Sequence, residues 1–158
     1  MHRTAGTGDV AFRLAWRGAS DLDLFVRGPE GPCIFFFHRA SLSGGRLDID
    51  CNAAADRLCD SPVENVFWPR GTAPDGEYLF WVHAHSLLPE EAPVRLQLQV
   101  LRGTEAHWIH RATASAHDQV EGPFRLVLRD GWLLGRIHRL PGPPPPCFPE
   151  APPPDLRR

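Results

Sequence analysis

The sequence predicts an all-β fold: an antiparallel β-sandwich, jelly-roll or immunoglobulin-like, of about eight to ten strands. Three observations carry this prediction. Apolar residues recur with period two in segment after segment, as half-buried strands require. Clusters of Gly, Pro, Asp and Ser separate the segments, and the 3.6-residue period of an amphipathic helix is nearly absent.

Alternation places strands over Asp9 to Trp16, Asp21 to Val26, Cys33 to His38, Arg46 to Asp50, Tyr78 to His85, Val94 to Arg102, Ala106 to Thr113, Phe124 to Leu128 and Trp132 to His138. Between them, Pro29-Glu30-Gly31, Ser43-Gly44-Gly45 and Pro74-Asp75-Gly76 each supply a glycine for a chain reversal. Asp130-Gly131 reads as the two-residue loop of a hairpin. The stretch from Ala53 to Val66 breaks the rhythm and reads as a long loop or a helical turn.

Residues 1–8 read as a flexible lead-in, 9–140 as one sandwich domain and 141–158 as a proline-rich tail. The run Pro141-Gly142-Pro143-Pro144-Pro145-Pro146 cannot join a sheet ladder, because proline donates no backbone hydrogen bond. An extended, polyproline-like tail is expected, either a linker or a docking motif for an aromatic groove.

A length of 158 residues suffices for an independent core, with no metal or disulfide needed to fold. The net charge of −2 and the absence of a basic run argue against nucleic acid as a partner. No apolar stretch approaches the roughly 20 residues of a membrane span. All 17 basic residues are arginine, a bias a GC-rich genome produces as readily as selection for guanidinium contacts. Cys51 and Cys59 are close enough to close a short disulfide loop; free thiols are the equal alternative for them and for Cys33 and Cys147.

The sequence concentrates unusual chemistry in two acidic strands, Asp21-Leu22-Asp23-Leu24-Phe25-Val26 and Arg46-Leu47-Asp48-Ile49-Asp50. Strand alternation sends Leu22, Leu24, Leu47 and Ile49 into the core and turns Asp21, Asp23, Asp48 and Asp50 outward. If the strands are neighbours, four carboxylates crowd one patch. Like charges facing each other across strands are destabilising, so the patch needs water, arginines or a cation. Two readings stay open. One is a solvated acidic face balanced by Arg13, Arg46 or Arg70. The other is a calcium site, which takes 6–8 oxygen ligands, with Asn52, Glu64 and Asn65 adding oxygens to the four aspartates. The loop spacing is not that of an EF-hand.

These residues also carry a resemblance. Trp16 with Ser20-Asp21-Leu22-Asp23-Leu24, Gly28-Pro29-Glu30-Gly31, Ser43-Gly44-Gly45-Arg46-Leu47-Asp48-Ile49-Asp50, Pro62-Val63-Glu64-Asn65-Val66-Phe67-Trp68 and Ala73-Pro74-Asp75-Gly76-Glu77-Tyr78 follow in that order over roughly Asp9 to Ser86. The succession resembles the YfaP-like uncharacterised bacterial domain. The resemblance implies a β-sandwich module of unknown function without catalytic residues, often attached to exported or surface proteins. It also implies that the acidic motifs, Glu64, Asn65 and Trp68 share one surface. An extracytoplasmic location follows from the resemblance, and a cytoplasmic one if Met1 is the native start.

Other chemistries are weaker. His83 and His85 share one face of a strand and, with a third histidine, could ligate zinc in a hydrolase, with Glu90 or Glu105 as general base. His107 and His110 are three apart and face opposite sides of a strand. No Gly-x-Ser-x-Gly elbow and no phosphate-binding loop occur. Trp16, Trp68, Trp81, Trp108 and Trp132 suit packing better than sugar stacking. The sequence therefore predicts a non-catalytic binding or interaction module with a calcium-competent acidic patch and a protein or carbohydrate ligand. A zinc hydrolase and a purely structural spacer are its rivals.

Overall fold

The computed structural model describes residues 5–51 and 61–147. The strands are β1 (Val10–Trp16), β2 (Asp21–Arg27), β3 (Arg46–Ile49), β4 (Val63–Trp68), β5 (Gly76–Ser86), β6 (Val94–Arg102), β7 (Glu105–Ala114), β8 (Val120–Arg129), β9 (Trp132–Leu133) and β10 (His138–Arg139). They form two antiparallel sheets, one ordered β3-β4-β1-β6-β7 and the other β10-β8-β5-β2 with β9 added on β8. This is the all-β sandwich that the alternation predicts. No helix among the described residues is long and apolar enough to cross a membrane.

The core lies between the sheets and follows the period-two pattern. Phe12 and Leu14 of β1, Leu22 and Leu24 of β2, Phe80 and Val82 of β5, Leu98 and Val100 of β6, and Leu126 and Leu128 of β8 are all buried. Each fully buried side chain of this size stabilises the fold by about 1.5–3 kcal/mol. Aromatic rings fill the centre, with Phe12 and Phe80 at 4.9 Å between centroids. Tyr78 is buried in the same cluster, and its hydroxyl donates to the Pro74 carbonyl at 2.6 Å. That bond fixes the turn into β5 and supplies the phenol with the partner that burial demands.

Three sequence expectations are corrected. Val63–Trp68 is a six-residue strand between β3 and β1, where the sequence reads as loop or helical turn. Cys33 to His38 is not a strand: only isolated bridges join Val26 to Ile34 and Phe35 to His38. The segment instead folds over the outer face of the second sheet, stacking Phe35 on Phe25 at 5.0 Å, while Phe25 stacks on Trp81 at 5.5 Å. Trp132 to His138 breaks into β9 and β10, and the Trp132 indole lies exposed under the Arg102 guanidinium at 3.8 Å.

The start of the tail is bound to the domain rather than extended away from it. Cys147 forms a disulfide with Cys33, and its carbonyl accepts from the Cys33 amide at 3.0 Å. Cys51 is disulfide-bonded as well; Cys59, its expected partner, lies outside the described residues, as do Asn52 and residues 148–158. At the other end, the Gly6 amide donates to Asp48 Oδ2 at 2.7 Å and the Gly103 amide to the Gly8 carbonyl at 2.9 Å.

The Cys33–Cys147 bridge closes a loop of 114 residues, so much of its effect falls on the entropy of the unfolded chain. Replacing both cysteines by alanine is expected to lower unfolding free energy by about 2–4 kcal/mol in a non-reducing denaturant titration. Unchanged stability would show that the loop over Trp81 is held by its aromatic stacking alone.

Candidate metal centre

Strands β2 and β3 are not hydrogen-bonded neighbours: β2 is the edge of one sheet and β3 the edge of the other. Their acids meet through β4. In the β1–β4 register Glu64 stands opposite Leu14, a core residue, and so points into the sandwich. Asn65 stands opposite Arg13 and points out. From the inner face Glu64 reaches the open edge of β2, where its Oε1 accepts from the Leu24 amide at 2.8 Å.

Around that carboxyl the predicted set divides. Asp21, Asp23 and Glu64 each offer a carboxylate oxygen, and these lie within 4.8 Å of one another. All three are buried, at 8%, 3% and 2% exposure, which corrects the expectation of an outward, solvated face. The acids lie at the seam between the edges of the two sheets, out of contact with bulk water. Asp50 joins them: its charge acts on Glu64, its side chain is 8% exposed, and Arg39 lies 3.6 Å from it.

Asp48 does not join. A β-bulge between Leu47 and Ile49 breaks the two-residue period of β3, so Asp48 and Asp50 serve different surroundings. Asp48 accepts from Asn65 Nδ2 at 2.8 Å, and Asn65 Oδ1 accepts from Arg13 Nε at 3.2 Å. Asn65 is fully buried in this polar network, and Trp68 is buried in the core with its Nε1 donating to Ser43 Oγ at 2.9 Å. Neither is a surface residue, contrary to expectation. Of the arginines expected to balance the acids, Arg13 serves Asp48 and Asn65, and Arg46 lies over the Phe67 ring at 4.9 Å.

Burial raises the Glu64 pKa well above its ordinary value, and the charges of Asp23 and Asp50 raise it further, against the pull of the Leu24 amide. With both groups ionised, Glu64 Oε2 and Asp50 Oδ1 are buried without a hydrogen-bond donor among the described residues. Such a pair is stable only if a proton on Glu64 bridges to Asp50 or a cation replaces that proton. The arrangement is thus an acid cluster in which burial and neighbouring charge favour the protonated form of Glu64.

No protein-family model, curated protein or solved structure matches this chain.

Of the other candidate ligands, His107 and His110 belong to one strand and belong to no metal-competent group among the described residues. His110 Nε2 lies 2.7 Å from Glu121 Oε1, and His107 lies 3.9 Å from Glu105. Sequence reasoning overlooked Glu91, whose carboxylate accepts from the Ala19 and Ser20 amides and from Ser20 Oγ at 2.6–2.9 Å. The Ser20 hydroxyl, chiefly, draws its pKa down. No short-range spacing announces that contact, since the partners are 71 residues apart.

A raised folded-state pKa means that the folded chain binds the Glu64 proton more tightly than the unfolded chain does. The stabilisation is complete below the unfolded pKa and is lost as pH rises through the folded value. In metal-free buffer Glu64→Gln, which keeps the shape of the protonated acid, is expected to remove this loss. Its melting temperature should exceed that of the wild type above neutrality, by the equivalent of about 1–3 kcal/mol for a relieved buried group, and differ little near pH 4. Parallel melting curves at the two pH values check it; equal pH dependence in both proteins contradicts the shared-proton arrangement.

Proposed function

We propose that this protein is a non-catalytic β-sandwich binding module that holds a calcium ion at the seam through Asp21, Asp23, Asp50 and Glu64. The observation that carries the proposal is Glu64: a buried carboxyl whose Oε2 meets no hydrogen-bond donor other than a shared proton among the described residues and which lies beside two aspartates from the opposite sheet. Acidic groups on a surface are tolerated by water; this one has no such recourse.

Calcium suits the seam better than magnesium. The oxygens come from separate strands, β2, β4 and the end of β3, and calcium accepts irregular sets of oxygens where magnesium demands near-ideal geometry and retains its waters. A bound ion would tie the edge of one sheet to the edge of the other. The loops beside that seam would then be held for a protein or carbohydrate ligand, while a purely structural spacer would need no such ion. Membership of the YfaP-like family belongs to the same proposal. Its support is that Ser20 to Leu24, Arg46 to Asp50 and Pro62 to Trp68 are the segments that frame the seam.

The test is thermal melting during calcium titration at neutral pH. A ligand bound only by the folded chain stabilises it by about 2.7 kcal/mol at a hundredfold excess over Kd. Asp23→Asn and Glu64→Gln should abolish the calcium shift, whereas Asp48→Asn should leave it in place, since Asp48 faces Arg13 and Asn65. No shift at millimolar calcium, or a shift surviving Glu64→Gln, would overturn the assignment.

A further inference from the structure

The outer face of the second sheet carries a donor set of a different kind. Val82 and Ala84 of β5 belong to the core, so the alternate residues His83 and His85 share the opposite face. Asp23 of β2 stands directly opposite His83 in the strand register. One ligand atom from each of Asp23, His83 and His85 lies within 4.8 Å of the other two. We propose that these three residues form a site for a borderline divalent transition ion of the zinc class, separate from the oxygen-only seam.

The sheet itself makes the geometry. A strand presents residues two apart on one face, and the adjoining strand brings a third residue alongside, so three donors converge without a loop. Ligand atoms on one tetrahedral zinc stand about 3.3 Å apart, given bond lengths of about 2.0–2.2 Å. Small side-chain rotations therefore close the set. β5 is hydrogen-bonded on both sides, by β2 and β8, so the backbone under the two histidines is fixed before an ion arrives.

A second feature favours an ion here. Asp118 Oδ1 lies 3.0 Å from His83 Nε2. A carboxylate on one ring nitrogen orients the imidazole and strengthens the other nitrogen as a ligand, the arrangement that supports metal-bound histidines. Two imidazoles and one carboxylate select zinc-class ions over calcium, which prefers oxygen throughout. Three protein ligands, with the two histidines partly open to solvent, leave the remaining position for water or a small ligand.

The inference does not rest on calcium binding at the seam, although Asp23 contributes to both groups. Titration of the full chain with zinc chloride by calorimetry, and with cobalt(II) chloride by visible absorption, tests it. One ion per chain is expected, with cobalt bands of four- or five-coordination. The double variant His83→Gln, His85→Gln should weaken zinc binding about tenfold or more, since ligands matter at least as much as their supporting carboxylates. Asp118→Asn, whose parent side chain is 80% exposed and whose exchange spares the fold, should weaken it as well. Asp50→Asn, in the seam but outside this donor set, should leave zinc binding intact while weakening any calcium response, which separates failure of one site from failure of the other. No zinc uptake by the wild type overturns the inference, as does uptake unchanged in the double histidine variant.

Discussion

The hydrogen bond from the Leu24 amide to Glu64 Oε1 is the constraint on which the seam depends. An edge strand exposes a row of backbone donors and acceptors that invite pairing with another chain. In β2 those groups are answered from within the molecule: Val26 exchanges backbone hydrogen bonds with Ile34, and Leu24 is answered by a side chain from the other sheet. Closing the edge in this way carries a carboxyl group into the interior. Once there it must lie beside Asp21 and Asp23, which alternate along the same strand, and beside Asp50 at the end of β3. The acidic cluster is thus partly a consequence of how the sandwich closes its side.

That origin explains why the two protonation states of Glu64 matter. A neutral acid satisfies the Leu24 amide through one oxygen and Asp50 through the other, with no cation present. An ionised one leaves buried oxygens facing carboxylates, a state that needs a counter-charge. Proton and cation therefore compete for one place. Raising the pH removes the proton and increases the demand for a counter-charge, so on the proposed calcium reading ion affinity and metal-free stability would move in opposite directions.

Much of the fold was legible because alternation is a local property. β1, β2, β5, β6, β7 and β8 lie where the period-two pattern puts them, within a few residues at their ends. β4 escaped because Glu64 and Asn65 stand at its centre, and two consecutive polar residues read as a loop unless both are known to be buried. The site was legible in its residue types and not in its geometry. Asp21, Asp23, Asp50 and Glu64 do converge, but across sheets rather than between paired strands, and the β3 bulge that removes Asp48 has no sequence signal of its own. The Cys33–Cys147 pairing lay beyond reach for a related reason: 114 residues separate the partners, and only the packing of the loop over Trp81 brings them to 4.8 Å between Cα atoms.

Asp23 links the two donor sets, and its strand position decides why they differ. It is at once an edge residue, near the seam where Glu64 enters, and a face residue, opposite His83. At the edge its neighbours are carboxylates, because there β2 meets the closing strands of the first sheet. On the face its neighbours are imidazoles, because β5 alternates Val82 and Ala84 inward with His83 and His85 outward. Hard and borderline donors are thereby sorted to two sides of a single side chain by the directions in which a β-strand can point. An ion on either side would draw on the same carboxylate charge. Occupation of one side would then alter the field at the other, with Asp23 as the residue common to both donor sets.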